Sequence, residues 1–365
     1  MNDEIISPRK RDRGRNAVLQ VLKGGGLFVL LAAATAWLIL REYPLDEMLT
    51  ACGNARPAWL LAAVLMMGLF FSCEAINLGR GLQLSGGRPG KRRLLFYALT
   101  GFFFSSITPS ASGGQPMQLY YMHRDGIPAS RGILALLTEL ASFQTAAVML
   151  AVGGAGLYFL HGRPAAGLVS GESAAGLAGS TGFSGYDGIA WLFVVGVGLN
   201  LLILTGLLLL LFSRRAVRAV LAAAFHLPRL SDGQRRQLLR SAAAWRRASS
   251  ALRRSPRTAI KLVSTSAIQL CGFCAVPWLI AQSLSVEGLS LPLTMGTQAM
   301  LYVSVSSLPL PGSVGVTEGG FSVLFQGMFP PALLGCAMIL SRLASFYVPL
   351  AVSGLGILTM KNDAG

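Results

Sequence analysis

The sequence predicts an all-α polytopic membrane protein. It is read as an inverted-topology repeat of span, re-entrant hairpin and span, with extra spans at 24–40 and 188–212. Three observations predict it. The chain is 53% hydrophobic and only 13% charged, with a mean hydropathy of +0.58, far outside the soluble range. Its cations gather on one side of the apolar runs. The string "SSITPSASGGQ" at 105–115 also returns as "SSLPLPGSVGV" at 306–316.

A helix needs about 20 apolar residues to cross a bilayer. The chain offers such runs at 24–40, 58–78, 132–160, 188–212, 258–283 and 333–359. Two further apolar regions, 94–122 and 293–329, are broken by proline and glycine. A polar, basic stretch at 1–23 has no cleavage signature and reads as a tail ahead of an anchor helix.

Basic residues set the orientation. Of 31 Lys and Arg, 27 fall in 1–23, 79–93, 121–131 and 214–257 or at Lys261 and Lys361. All of these share one side if each clear run crosses once and each broken region returns to its own side. The positive-inside rule then puts both termini in the cytoplasm. The counter-loops 41–57, 161–187 and 284–292 each carry a net charge of −1. The net charge of +16 therefore serves orientation and contact with anionic lipid, and no nucleic-acid partner is expected. In 214–257, Leu238, Trp245 and Leu252 recur every seven residues, as do Arg240, Arg247 and Arg254. That spacing fits a basic amphipathic helix on anionic inner-leaflet lipid; a solvated linker is the alternative.

The two halves align. Ser105-Ser106 matches Ser306-Ser307, Pro109 matches Pro311, and Gly113 matches Gly315. "ELASF" at 139–143 matches "RLASF" at 342–346. Repeat A is 58–160 with its hairpin at 94–122; repeat B is 258–359 with its hairpin at 293–329. Between them lie a Gly-rich outer loop, the span 188–212 and the basic segment, together 161–257, and 360–365 forms the C-terminus. The span 58–78 runs inwards while 258–283 runs outwards, so the repeats are inverted, as in many transporters. Hairpin A enters from the cytoplasm and hairpin B from outside; the alternative is two kinked spans in each region. Irregular backbone at membrane depth must be buried or line a cavity. Each tip also opens a new half-helix, near Gln115 and Thr317, whose free N–H groups suit an anion.

Charges within the spans are few: Glu74, Glu139, Glu318 and Arg342. Each needs a partner or a cavity. Glu139 and Arg342 hold equivalent positions. They are read either as a structural ion pair between halves or as groups that handle a lipid headgroup. Glu318 either stabilises a helix start or takes part in coupling. Glu74 is expected to snorkel or to pair with Arg80. Gln115 and Gln118 at the inner tip hydrogen-bond a headgroup or cap backbone. The pair Cys271 and Cys274 reads as helix packing, because no further ligands complete a zinc site. No metal or other cofactor is expected.

The motifs "TPSASGGQPMQLYYMHRDG" and "SSLPLPGSVGVTEGG" together resemble the lysylphosphatidylglycerol synthase transmembrane-region family, over about 20–360. That family includes the flippase part of the multiple peptide resistance factor. Gly113, Gly114, Glu139, Pro311, Gly312, Gly315 and Glu318 match family positions. The resemblance implies a bacterial plasma-membrane protein that moves or handles anionic or aminoacylated phospholipid. Many members carry an acid where this chain has Gln115, and a basic residue where it has Leu140. The soluble aminoacyl-transferase domain of bifunctional members has no counterpart in the sequence, so lysyl-lipid synthesis is not expected.

The leading expectation is a membrane lipid translocase. Its substrate would be an anionic or aminoacylated phospholipid or a polyprenyl-phosphate carrier. The alternative is a membrane enzyme or accessory subunit in lipid or envelope glycolipid synthesis, although no catalytic constellation is visible. Candidate transport residues are Pro109, Gly113, Gly114, Gln115, Gln118, Glu139, Pro311, Gly312, Gly315, Glu318 and Arg342. Membrane lipid is the expected partner, and a homo-oligomer is left open.

Overall fold

The structure is a computed structural model that describes residues 50, 52–87, 89–108, 111–161, 185–213, 215, 250, 252–253, 255–306, 308 and 311–360. The regular structure among the described residues is helical. Half A holds α1 (Pro57–Leu84), α2 (Lys91–Ile107), α3 (Gly114–Arg124) and α4 (Ala129–His161). The connecting α5 spans Gly185–Phe212. Half B holds α6 (Pro256–Cys274), α7 (Val276–Ser283), α8 (Leu291–Ser306), a 3₁₀ turn (Pro311–Ser313) and α9 (Val316–Phe325). It closes with α10 (Pro331–Arg342), a π-helical turn (Leu343–Tyr347) and α11 (Val348–Met360). The span expected at 24–40, the basic tail, Pro109, most of the outer loop and most of the amphipathic segment lie outside the described residues.

Five of these helical stretches are long and apolar enough to cross a membrane: Pro57–Leu84, Ala129–Tyr158, Trp191–Phe212, Pro256–Ser283 and Pro331–Met360. They overlap the five clear runs predicted after 24–40. Proline sits in the first turn of α1, α6, α7 and α10, where a missing N–H costs nothing. Pro277 also explains the break between α6 and α7. It has no N–H to give to the carbonyl of Phe273, one turn back. Outward faces stay apolar: Leu61, Leu65, Met149, Val194, Leu202, Leu355 and Leu358 are all exposed, as lipid contact requires.

The element order repeats. From Pro57 to Pro256, Lys91 to Leu291, Gly114 to Val316 and Ala129 to Pro331, the starts recur after 199, 200, 202 and 202 residues. Each broken region doubles back on itself. A Cβ on Gly114 would stand 2.1 Å from Ser105 Oγ and 2.6 Å from the Gly101 carbonyl. Only glycine lets α3 come that close to α2. Arg93 and Tyr97 on α2 both bond Asp125, just past the end of α3, and close the base of this hairpin. In half B, Leu301 packs where a Cβ on Gly320 would lie, 2.5 Å away. At a rise of 1.5 Å per residue, α3 and α9 extend only about 15 Å, half of a hydrocarbon core.

The halves pack crosswise. The long helix α4 lies against α8, and α11 lies against α2. At the first contact Gly154 meets Gly296: a Cβ on Gly154 would fall 2.5 Å from the backbone of its partner. At the second, a Cβ on Gly356 would stand 2.8 Å from Leu99. Small residues of this kind let membrane helices approach without a hydrophobic driving force. Buried polar groups add interhelical bonds. Asn77 on α1 donates to Ser266 Oγ (2.9 Å) and to the Leu262 carbonyl (3.1 Å), and Ser266 donates to Ser142 on α4 (3.1 Å). Asn200 on α5 bonds Gln144 on α4 and the Val303 carbonyl on α8.

One covalent link was not anticipated. Cys52 and Cys336 form a disulfide across 284 residues of sequence. It joins the segment before α1 to α10, near the ends of both helices that loop charges assign to the outside. Cys271 and Cys274 are free, as packing residues should be. Disulfides persist in oxidising compartments, and on the orientation expected from the loop charges this link would lie at the outer face. Replacing Cys336 with Ser is expected to lower thermal stability by about 2–5 kcal/mol. In sealed cells, a membrane-impermeant thiol reagent should then label Cys52 from outside; labelling only after the membrane is opened would contradict the orientation.

Candidate functional site

The densest polar constellation within the apolar region lies at the tip of the second hairpin. Here the chain turns through Gly312 (φ 59°) and Gly315 (φ 90°), conformations that favour glycine. A Cβ on Gly312 would also meet the Phe346 ring at 2.5 Å. The helix α9 then begins with Glu318 in its first turn. Glu318 Oε2 accepts from the Gly315 N–H at 2.7 Å, satisfying a helix-start donor that lipid could not.

Its other oxygen, Oε1, accepts from Arg342 Nε at 2.7 Å. Arg342 Nη2 donates to the Gly312 carbonyl at 3.1 Å, and its guanidinium lies 4.6 Å from the centre of the Phe346 ring. The side chains are 13% and 6% exposed for Arg342 and Glu318. One carboxylate and one guanidinium thus fasten both sides of the break to α10. A small cavity of about 30 Å³ adjoins the pair, lined in part by Phe273, Pro277, Gln298, Thr317 and Ser341.

The equivalent place in half A is built differently. Thr108 Oγ1 accepts from the Gly113 N–H at 2.9 Å, so a hydroxyl caps this tip. Gln118 on α3 donates to Glu74 Oε1 and to the Tyr97 carbonyl, each at 3.0 Å. Glu139 on α4 is buried at 8% exposure, close enough to Glu74 for their charges to repel. It also lies within electrostatic reach of Tyr302 on α8.

Two sequence readings are corrected here. The carboxylate partner of Arg342 is Glu318, not Glu139. The helix α10 returns beside α9 and brings Arg342 to the tip of its own half, whereas Glu139 faces α1. Glu74 does not pair with Arg80. Six residues of helix place the two about 120° apart around α1. Arg80 instead bonds Asn77, Thr265 Oγ1 and the Lys261 carbonyl, tying α1 to α6.

A circuit of four aromatic rings stands between the two polar sets. Phe70 is one turn from Glu74, and Phe143 is one turn from Glu139. Their ring centres are 6.2 Å apart. Phe273 lies 6.4 Å from Phe70, Tyr302 lies 6.2 Å from Phe143, and Phe273 and Tyr302 are 5.7 Å apart. Phe273 also lines the cavity beside Arg342.

Of the predicted residues, Gly312, Gly315, Glu318 and Arg342 come together, with Pro311 opening the 3₁₀ turn. Gly113 and Gly114 meet at the first tip. Gln118 and Glu139 share the acidic region with Glu74. Gln115 occupies the first turn of α3, partly buried. Sequence reasoning missed Gln298 and Ser341 in the cavity wall. Gln298 is the one amide side chain in the apolar run 291–306, a signal available before the fold was known.

This architecture is that of a polytopic membrane protein with its polar groups concentrated at buried helix breaks. Residues 25–353 match the lysylphosphatidylglycerol synthase TM region, and the chain belongs to that family. The family is a transmembrane one tied by its description to membrane lipid. No curated protein matches the chain significantly.

Removing one member of a buried ion pair leaves an uncompensated charge, at a cost of about 3–5 kcal/mol. Arg342→Ala and Glu318→Ala are each expected to lose that much stability. A Glu318→Gln, Arg342→Met double variant should recover most of it. Thermal unfolding of the purified variants measures the coupling; additive losses would contradict a direct pair.

Proposed function

We propose that the protein is a membrane lipid translocase, and that its substrate carries a phosphate headgroup. The observation that carries this reading is the buried Glu318–Arg342 pair at a helix break. An intramembrane arginine is retained at a cost of about 2.5–3.5 kcal/mol on insertion scales, and such residues mark substrate pathways. Here Glu318 holds the position that a lipid phosphate would take. A phosphate arriving at Arg342 competes with the carboxylate for the same donor, and the N–H groups at the start of α9 offer it further bonds.

The reading draws on three further supports. Loop charges give the two halves opposite directions, and crosswise packing of α4 on α8 and α11 on α2 is what a pseudo-two-fold axis would produce. The short α3 and α9 suit re-entrant hairpins that stop near mid-membrane, one from each face. The aromatic circuit suits a barrier between an acidic region on the cytoplasmic side and the arginine region towards the outside. On this scheme an ammonium-bearing headgroup pairs with Glu74 and Glu139, and its phosphate with Arg342. Anionic or aminoacylated phospholipids fit, as does a polyprenyl phosphate, in a bacterial plasma membrane with both termini cytoplasmic.

Headgroup flipping in proteoliposomes tests the proposal, read by quenching of fluorescent phosphatidylglycerol and of its lysyl ester. Wild type should move at least one of them several-fold faster than protein-free vesicles. The Glu318→Gln, Arg342→Met variant should be folded and inactive. Wild-type rates equal to empty vesicles would sink the idea.

A further inference from the structure

Two buried oxygens beside the Glu318–Arg342 pair have no hydrogen-bond partner among the described residues: Gln298 Oε1 and Ser341 Oγ. Gln298 is 8% exposed and Ser341 5%. Both line the same 30 Å³ cavity. An unpaired polar atom in hydrocarbon is costly, and the two residues that carry these atoms line one small space, which points to a ligand that pairs with both.

Other polar groups share the lining. Thr317 and Ser345 present hydroxyl oxygens there; their own protons go to the Ser313 carbonyl (2.9 Å) and the Ser341 carbonyl (2.7 Å). Arg342 supplies N–H donors and Glu318 a carboxylate. Donors and acceptors are therefore both present, around a space of one to two water volumes. A metal cation fits worse, since Arg342 already neutralises Glu318 and lines the same wall.

We infer that this cavity is a built site for one or two ordered waters, which bridge Gln298 and Ser341 and hydrate the Glu318–Arg342 pair. The bound water makes the pair separable, because each charge keeps a hydrogen-bond partner as the other leaves. The site stands on the cavity alone. Its consequence for transport, that a headgroup oxygen displaces this water on reaching Arg342, rests on the translocase reading.

Radiolytic hydroxyl labelling of the full-length protein in detergent or nanodiscs tests the inference, because bound water generates the radical in place. Met338 is the reporter: it lines the cavity and is only 2% exposed. Met67 and Met300, also 2% exposed and not among the cavity-lining residues, are the controls. Met338 should oxidise at least tenfold faster than both. A Gln298→Leu, Ser341→Ala variant should bring Met338 down to their level. Wild-type Met338 labelling no faster than the controls overturns the site, whether or not the variant folds. Fast labelling that persists in a folded variant overturns the assignment to Gln298 and Ser341. Neither result depends on flipping, so a protein that labels as expected and moves no lipid retains the site and loses only the transport reading.

Discussion

Everything at the second hairpin depends on a single carboxylate. Glu318 meets two needs that lipid imposes at once. One oxygen satisfies a helix-start N–H that lipid could not, and the other neutralises a guanidinium that lipid could not. Arg342 in turn holds the Gly312 carbonyl, so the break is closed from both sides. Without Glu318 the turn, the helix start and the arginine would each be left short.

The first hairpin solves the same backbone problem with neutral chemistry. Thr108 caps the Gly113 N–H, and glycine at 101 and 114 brings the two helices into contact. Its tip carries no charge: the Arg93–Asp125 pair closes the hairpin's base, and the carboxylates Glu74 and Glu139 sit on the flanking helices. The halves thus share a backbone plan and differ in sign. One offers acid without a nearby arginine; the other offers arginine already matched by acid. A symmetric pair of sites would bind the same group equally on both faces. This pair is chemically distinct between the halves.

Much of this was legible in the sequence, for physical reasons. Lipid demands long uncharged helices, so the spans announce themselves, and Pro and Gly at the breaks are the few residues that permit such turns. The tips, their glycines and the half-helix starts therefore followed from spacing. Pair partners did not. Glu139 and Arg342 are equivalent by sequence, yet their neighbours depend on which face each helix turns inwards. A few tens of degrees decide that, and no local pattern records it. The disulfide was hidden similarly: Cys52 and Cys336 each sit near a helix start, but their meeting depends on how α1 and α10 stand side by side. Gln298 and Ser341 carry no motif and gained meaning only when the cavity joined them.

The disulfide has a mechanical consequence. It ties the chain just ahead of α1, in half A, to the first helical turns of α10, in half B. Any rigid rotation of one half against the other then has a fixed pivot at this link. Displacement about a pivot grows with distance from it, and α1 extends about 40 Å from that point. A small rotation is thereby converted into its largest separation at the opposite end of α1, where Arg80 clasps the first turns of α6. The staple acts as the rivet of a pair of shears, and Arg80 as their latch.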